Sequence, residues 1–362
     1  MKTAFATFDA HCDSLQRVVI DQADLARFPS GQADLARWKK GSVGAQVFAV
    51  WIDTLYVPHH AARRAFQQID ALYNLLERYP DRVALARSTR DVRSIARSGR
   101  LAALLSIEGG DAIQEDLGLL RTYHRLGATS MTLTHSRTTS WADSSTDSPR
   151  WGGLNDFGRS VIREMNRLRM LVDVSHTSDA TVEAVLTVSQ QPIIASHSSC
   201  RALCSHPRNL SDDLLKAIAR SGGVIGINFY AEFLDQGYHD EMKARKKDLL
   251  GSLNQPQAVP PEDLDRIAAD RMRTFFSEQL PRPPFERILD HIDHAVGIAG
   301  INHVGIGADL DSGPIPTPEG FDDVRDYPKV ARGLVGRGYS DRDVRKIMGE
   351  NFLRVLKDVV GR

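Results

Sequence analysis

The feature that most constrains this chain is a regular alternation of short apolar runs with amphipathic stretches. Eight runs rich in β-branched and other apolar residues recur along the 362 residues, and each is followed by a pattern of helical period. The runs span residues 4–8, 44–51, 101–107, 129–134, 171–174, 192–195, 223–229 and 304–308. Strands that are apolar on both faces and alternate with helices are typical of a parallel sheet covered by helices. Eight such units predict an α/β fold, a (β/α)8 TIM barrel.

A doubly wound open sheet is the alternative arrangement of the same units. Its dinucleotide-binding form carries a glycine-rich turn after the first strand. The corresponding segment here reads "DAHCDSLQRVV" and contains no glycine, which favours the barrel. The length suits one large core, so we expect a single domain over residues 1–362. Long connections at 136–153 and 231–282 are expected to be functional loops, and the second includes a predicted helix, "PEDLDRIAADRMRTFFSEQ".

Charge and hydropathy exclude several classes of partner. The 46 Lys and Arg residues balance 46 Asp and Glu residues, so no basic surface for nucleic acid is expected. No apolar run approaches the length of a membrane span, and the N-terminus lacks a secretion signal. The three cysteines, Cys12, Cys200 and Cys204, cannot all pair, which favours free thiols in a reducing compartment. We therefore expect a cytoplasmic protein with neither nucleic acid nor membrane as partner. The sequence does not decide whether the protein forms a homodimer.

Ionisable side chains follow six of the eight apolar runs. They are His11 and Asp13, Glu108, His135, His176, His197 and Asp309. The carboxyl ends of barrel strands form the face on which barrel enzymes build their active sites. A single histidine at one strand end is more often a hydrogen-bonded core residue than a ligand. Six strand ends that carry only His, Asp and Glu instead indicate one shared site.

This set of side chains suits divalent metal ions, which bind imidazole nitrogen and carboxylate oxygen. One catalytic zinc needs three protein ligands and an open position, so the set is larger than one ion requires. Two ions fit better, with His11 and Asp13 on one, and His176 and His197 on the other. Glu108 would bridge the two ions because a carboxylate has two oxygens. His135 and Asp309 are then left for acid–base and electrostatic roles.

Seven short motifs occur along the chain in a recognisable order. They read DAHCD, SIEGG, LTHSRTTSWAD, VDVSH, ASHSS, PRNLSDD and HVGIGADLDSG. In this order they resemble the membrane (renal) dipeptidase family of zinc peptidases, within the amidohydrolase superfamily. The resemblance covers nearly the whole chain, from FDAHCD to GENFLRVLKDV. It departs from the family pattern at Cys12 and Ser14-Leu15 and at the final DLDSG, none of which replaces a proposed ligand.

The resemblance implies a zinc-dependent dipeptidase, a metalloprotease with two Zn²⁺ per chain and the five ligands named above. Such an enzyme hydrolyses the amide bond of small dipeptides with a metal-bridging hydroxide, and L-Xaa-D-Xaa dipeptides are among the family's substrates. The resemblance also implies that His135 contacts the scissile carbonyl and that Asp309 shuttles the proton. Arg208 would bind the C-terminal carboxylate, for which a planar bidentate donor is suited.

Two alternative functions remain open at this stage. One is another binuclear amidohydrolase, such as a deaminase or a cyclic amidase, whose substrate need not carry a terminal carboxylate. The other is a non-catalytic relative that acts as a binding protein, although no proposed ligand is missing. Among the remaining polar and aromatic residues, His206 either lines the pocket or is an ordinary loop histidine. Trp141 and Trp151 either wall the substrate pocket or anchor the loop 136–153.

Overall fold

A computed structural model describes residues 7–253, 263–264, 266–267, 280–312 and 316–361. Within these residues, nine strands form one entirely parallel sheet. They are β1 (Thr7–Cys12), β2 (Val43–Trp51), β3 (Val83–Leu85), β4 (Leu101–Glu108), β5 (Ala128–Thr132), β6 (Leu171–Asp173), β7 (Ile194–Ala195), β8 (Val224–Ile227) and β9 (Val304–Ile306). Pairing of β2 with both β1 and β4 closes eight strands into a barrel, and β3 pairs with the first residues of β4. The predicted barrel is confirmed.

Helices surround the barrel and connect its strands. They are α1 (Ser14–Asp21), α2 (Leu35–Lys40), α3 (Ala61–Arg78), α4 (Thr89–Arg97), α5 (Leu117–Arg125), α6 (Asp156–Leu168), α7 (Asp179–Val188), α8 (Asp212–Arg220), α9 (Ala231–Leu234), α10 (Gln236–Leu253), α11 (Glu286–Ala299), α12 (Tyr327–Gly336), α13 (Asp341–Arg345) and α14 (Asn351–Val359). A π-helical turn, Lys346–Glu350, joins the last two. No helix within the described ranges has the length and apolarity that crossing a bilayer requires.

The eight predicted runs correspond to the eight barrel strands, with two differences. The first apolar run ends at Phe8, but β1 continues to Cys12, because Asp9 and Cys12 still pair with β2. Residues 4–6 of that run lie outside the described residues. The short strand β3 was not predicted, because its three residues give too little pattern to detect. Most of the helix predicted at 261–279 also falls outside the described ranges.

Three of the helices that follow barrel strands begin with a side-chain N-cap. Asn155, Ser178 and Ser211 accept hydrogen bonds from the backbone N–H three residues later, at 3.0, 3.2 and 3.4 Å, and begin α6, α7 and α8. Such caps satisfy N–H groups that lack a partner within the helix. Ser178 stands two residues after His176, so the cap also limits where that histidine can lie.

Two glycines allow a close approach of backbone segments beside the last strands. A Cβ on Gly226 would lie 2.0 Å from the carbonyl oxygen of Ser196, and a Cβ on Gly307 would lie 1.8 Å from the same oxygen. Neither contact could be accommodated by a side-chain movement, because the obstructing atom belongs to the backbone. These glycines therefore let the segment that carries His197 settle against β8 and β9.

Candidate active site

The seven ionisable residues predicted from the strand ends meet at one end of the barrel. Their potential ligand atoms form three overlapping groups, in each of which the atoms lie within 4.8 Å of one another. The groups are His11, Glu108 and His197; Glu108, His135 and His176; and His11, Asp13 and Asp309. The prediction that these strand ends converge is therefore confirmed by the geometry.

Glu108, the last residue of β4, lies between two sets of side chains. Its Oε2 is 3.1 Å from His11 Nε2, while its Oε1 is 3.1 Å from His176 Nε2 and 3.5 Å from His197 Nε2. The two oxygens of one carboxylate thus face different histidines. This is the arrangement that a bridging ligand needs.

Asp13 and His135 complete the two sides of the group. Asp13 Oδ1 is 3.7 Å from His11 Nε2, and His135 Nε2 is 3.9 Å from Glu108 Oε1. The ring of Trp51, at the end of β2, meets the ring of His135 edge to face at 5.2 Å. Sequence reasoning missed Trp51, although it ends an apolar run and its position at the strand end was a usable signal.

Several buried polar atoms of this group have no hydrogen-bond partner among the described residues. Asp13 Oδ1, His135 Nδ1 and His176 Nδ1 have none, and His11 Nε2 and Glu108 Oε2 have only each other within hydrogen-bond distance, at 3.1 Å. Buried polar atoms are nearly always paired, so a set of poorly paired atoms in one place calls for an explanation. Carboxylate and neutral imidazole are the donors that divalent transition metals bind, and His11 becomes such a donor when it loses its proton. The residues present therefore fit a metal centre.

Burial and neighbouring charges shift the pKa values of this group. Burial disfavours the charged form of His11, but the carboxylates of Glu108, Asp13 and Asp309 outweigh it and raise the pKa of His11 to about 10. Burial and the charge of Glu108 raise the pKa of Asp13 well above its usual value. Burial and nearby cationic groups, Arg208 among them, lower the pKa of His176 and the pKa of His197. Those two imidazoles are therefore neutral and keep a lone pair for a ligand.

Hydrogen bonds from outside the group orient its histidines. Ser196 Oγ lies 2.7 Å from His197 Nδ1, which leaves Nε2 to face Glu108. Asp173 Oδ1 accepts the backbone N–H groups of Ser175 and Ser196, each at 3.0 Å, and so ties the turns after β6 and β7 together. Such partners fix the ring orientation and tautomer of a metal-binding histidine.

The loop 136–153 supports the site through the hydroxyl of Ser144 rather than through its tryptophans. Ser144 Oγ donates to the carbonyl oxygens of His135, at 2.6 Å, and His176, at 3.2 Å. Trp141 is buried, with only 1% of its surface exposed, and Trp151 Nε1 donates to the carbonyl oxygen of Thr139 at 3.0 Å. Both contacts agree with the interpretation of these tryptophans as loop anchors.

Arg208 lies beside the ionisable group and is itself buried. Its Nη2 donates to the carbonyl oxygen of His197 at 3.1 Å, its Nη1 lies 3.5 Å from Ser198 Oγ, and its Nε has no hydrogen-bond partner within the described chain. The guanidinium also stands 5.4 Å from the ring centre of Phe233. Burial lowers the pKa of Arg208 to about 10, so the side chain stays cationic at neutral pH. No ion pair ties it to a carboxylate of the described residues, which leaves a buried cation suited to an anionic group.

A second buried group of potential ligands lies behind Arg208. His206 Nε2 and His239 Nδ1 are 3.7 and 3.6 Å from Glu232 Oε1. The backbone N–H of Arg208 donates to His206 Nδ1 at 3.1 Å, so the proton of a neutral His206 sits on Nε2. A protonated nitrogen offers no lone pair to a metal. The geometry therefore favours a supporting role for His206 over a third metal site.

Two polar residues close to the site were not among the site residues proposed from the sequence. Asp9 faces the barrel interior but is tied to structure, since it accepts from the N–H of Ala308 at 3.0 Å and from the hydroxyl of Tyr327 at 2.6 Å. Asn228 directly follows β8, and its Nδ2 donates to Asp309 Oδ2 at 2.8 Å. The predicted run 223–229 placed Asn228 inside a strand, whereas the strand ends at Ile227. A polar residue at a strand end was the available signal.

Two curated proteins are similar in sequence to most of this chain. Dipeptidase verJ of Clonostachys rogersoniana is 37% identical over 302 residues, which are 83% of this chain and 66% of that protein. Dipeptidase aclJ of Aspergillus oryzae is 35% identical over 331 residues, 89% of this chain and 68% of that protein. The chain thus spans about two thirds of the length of these relatives.

The same relationship is visible in a solved structure and in a family model. The crystal structure of the probable dipeptidase PvdM from Pseudomonas aeruginosa superposes with a TM-score of 0.83 at 28% identity, covering 98% of this chain and 96% of that one. The model of the membrane dipeptidase family, peptidase family M19, matches residues 1–361. Because that match extends over almost the entire chain, the protein belongs to the membrane dipeptidase family.

Proposed function

We propose that this protein is a zinc-dependent dipeptidase that holds two Zn²⁺ per chain. His11 and Asp13 would hold one ion, His176 and His197 the other, and Glu108 both. The observation that carries the proposal is the position of Glu108, whose two oxygens each lie 3.1 Å from the Nε2 of a different histidine. When bound, a pair of divalent cations supplies an activated water and polarises the scissile carbonyl.

The side chains around the cations would bind the substrate and carry its proton. Arg208 would bind the C-terminal carboxylate, and this contact limits the substrate to one residue beyond the scissile bond. His135 would donate to the scissile carbonyl oxygen, and its ring is held in place by Trp51. These contacts favour dipeptides over longer peptides.

Asp309 would accept the proton of the attacking water and deliver it to the leaving amine. Burial, partly offset by His11 and reinforced by Glu108, raises the pKa of its carboxyl to about 6. A group with a pKa near neutrality can both accept and release a proton at physiological pH. The position of Asp309 Oδ1, 3.8 Å from His11 Nε2, puts the carboxyl beside the proposed metal site.

Turnover of a dipeptide panel by the zinc-loaded protein tests the proposed function. The panel contains L-Xaa-L-Xaa and L-Xaa-D-Xaa dipeptides, their C-terminal amides, and tripeptides of matching sequence. We expect hydrolysis of free dipeptides, little hydrolysis of amides and tripeptides, and loss of activity after chelation. Preferential cleavage of cyclic amides, or release of ammonia from a nucleobase, would show that another amidohydrolase reaction takes place at this site.

A further inference from the structure

Asn228 is completely buried and lies between the end of β8 and Asp309. Its amide makes two hydrogen bonds. The backbone N–H of Tyr230 donates to Asn228 Oδ1 at 2.7 Å, and Asn228 Nδ2 donates to Asp309 Oδ2 at 2.8 Å. Because a backbone N–H can only donate, it must face the amide oxygen, and the NH₂ group is thereby directed at Asp309. The orientation of this amide is thus fixed by its local backbone.

The carboxyl group that Asn228 contacts has two oxygens in different surroundings. Oδ2 accepts from Asn228, whereas Oδ1 faces His11 Nε2 at 3.8 Å. The last side-chain torsion of an aspartate is broad and nearly two-fold, so the two oxygens can exchange places by rotation. Packing alone would therefore not fix which oxygen faces which neighbour. The hydrogen bond from Asn228 distinguishes the two oxygens, because it fixes Oδ2 on the side of the amide and leaves Oδ1 on the side of His11.

The backbone reinforces this arrangement. Asp309 has φ of +62°, a left-handed conformation that is uncommon for residues other than glycine. Its N–H donates to the carbonyl oxygen of His11 at 3.3 Å, which holds the residue against β1. The hydroxyl of Ser199 donates to the carbonyl oxygen of Asn228 at 3.2 Å and holds the other partner. Asp309 and Asn228 are therefore each held by a hydrogen bond to a different segment of the barrel.

We propose that Asn228 is a positioning residue, which fixes the Asp309 carboxyl group with Oδ2 toward the Asn228 amide and Oδ1 toward His11. The inference rests on the proposed function, in which Asp309 shuttles the proton. Asn228 acts through Asp309 and makes no contact with the reacting atoms in this account. Its contribution should therefore appear in kcat, and it should vanish when the Asp309 carboxyl group is replaced by an amide.

A double-mutant cycle on dipeptide hydrolysis tests this role. Asn228→Ser is the main variant, because its hydroxyl can still accept from the Tyr230 N–H but is too short to reach Asp309. We expect a fall in kcat of about 10- to 100-fold, since displacing a catalytic group by about 1 Å can cost about 100-fold. KM and the bound metal should stay within about two-fold of wild type. In an Asp309→Asn background, the same substitution should reduce kcat by less than about two-fold.

Other outcomes of the cycle would overturn the role of Asn228. They are an equal loss in both backgrounds, an unchanged kcat in Asn228→Ser, and a change confined to KM. Asn228→Ala provides a second variant if Asn228→Ser does not fold. Asn351→Ala is the matched control, because Asn351 is also a buried asparagine and donates to the carbonyl oxygens of Ile301 and Val304, at the opposite end of the barrel. It should lower Tm and leave kcat unchanged. A wild-type protein inactive on every dipeptide would instead refute the proposed function itself.

Discussion

Replacing Arg208 with methionine separates a dipeptidase from an amidohydrolase that ignores a terminal carboxylate. Arg208 is 5% exposed, so a carboxylate bound to its guanidinium would be desolvated as well. Truncating one partner of a buried charge pair costs about 2–5 kcal/mol, because the other charge stays buried and unpaired. At about 1.4 kcal/mol per tenfold, kcat/KM for a free dipeptide should fall by about 30- to about 4,000-fold. A solvent-exposed pair would account for only about 0–1 kcal/mol.

The assay compares kcat/KM for free dipeptides and for their C-terminal amides, on wild-type protein and on Arg208→Met. The amides lack the carboxylate and should lose less than about three-fold, since the variant removes an interaction that they do not make. Arg201→Met is the matched control, because Arg201 lies in the same loop but is paired with Asp179 at 2.6 and 2.7 Å. It should leave both substrates unaffected. If Arg208→Met lowers kcat/KM by the same factor for free dipeptides and for amides, Arg208 does not bind the carboxylate.

Three further predictions address the metal centre and the proton carrier. Glu108→Ala should lower the zinc content from about two ions per chain to less than one, as measured by elemental analysis, because both proposed ions share this ligand; a variant that keeps both would refute the bridge. Asp309→Asn should lower kcat by about 10²- to 10⁴-fold with the metal retained, whereas zinc loss would make Asp309 mainly a ligand. Zinc binding to the metal-free protein should release protons, because His11, with its pKa raised to about 10, is protonated at pH 7 and must lose that proton to bind. The affinity for zinc should therefore rise with pH up to about 10. Calorimetry in buffers of different ionisation enthalpy would count the protons released. If no proton is released at pH 7, His11 is not protonated in the metal-free protein.

The residues at the strand ends could be predicted because period and position are encoded locally. A parallel barrel brings all its strand carboxyl ends to one face, so the sequence positions of His11, Glu108 and His176 were sufficient to predict that they meet. The same reasoning extends to Arg208 only through the resemblance to a family, since Arg208 lies in a loop. The structure adds that this arginine is buried and has no carboxylate partner among the described residues.

Where each strand ends depends on tertiary contacts that no local pattern contains. The first apolar run stops at Phe8, but the ladder with β2 extends the strand to Cys12. The seventh run includes Asn228, which in fact lies beyond β8 and contacts Asp309. A difference of a few residues at a strand end decides whether a side chain is assigned to the core or to the site.

The sequence by itself determined the barrel and the identity of the converging ionisable residues, because apolar periodicity and chain order carry that information. Tertiary structure alone decided which oxygen of Glu108 faces which histidine. It also brought Asp309 to the NH₂ group of Asn228. These contacts depend on side-chain rotamers and join segments far apart in the chain. Such contacts form only when the closed barrel brings those segments within about 3 Å of one another.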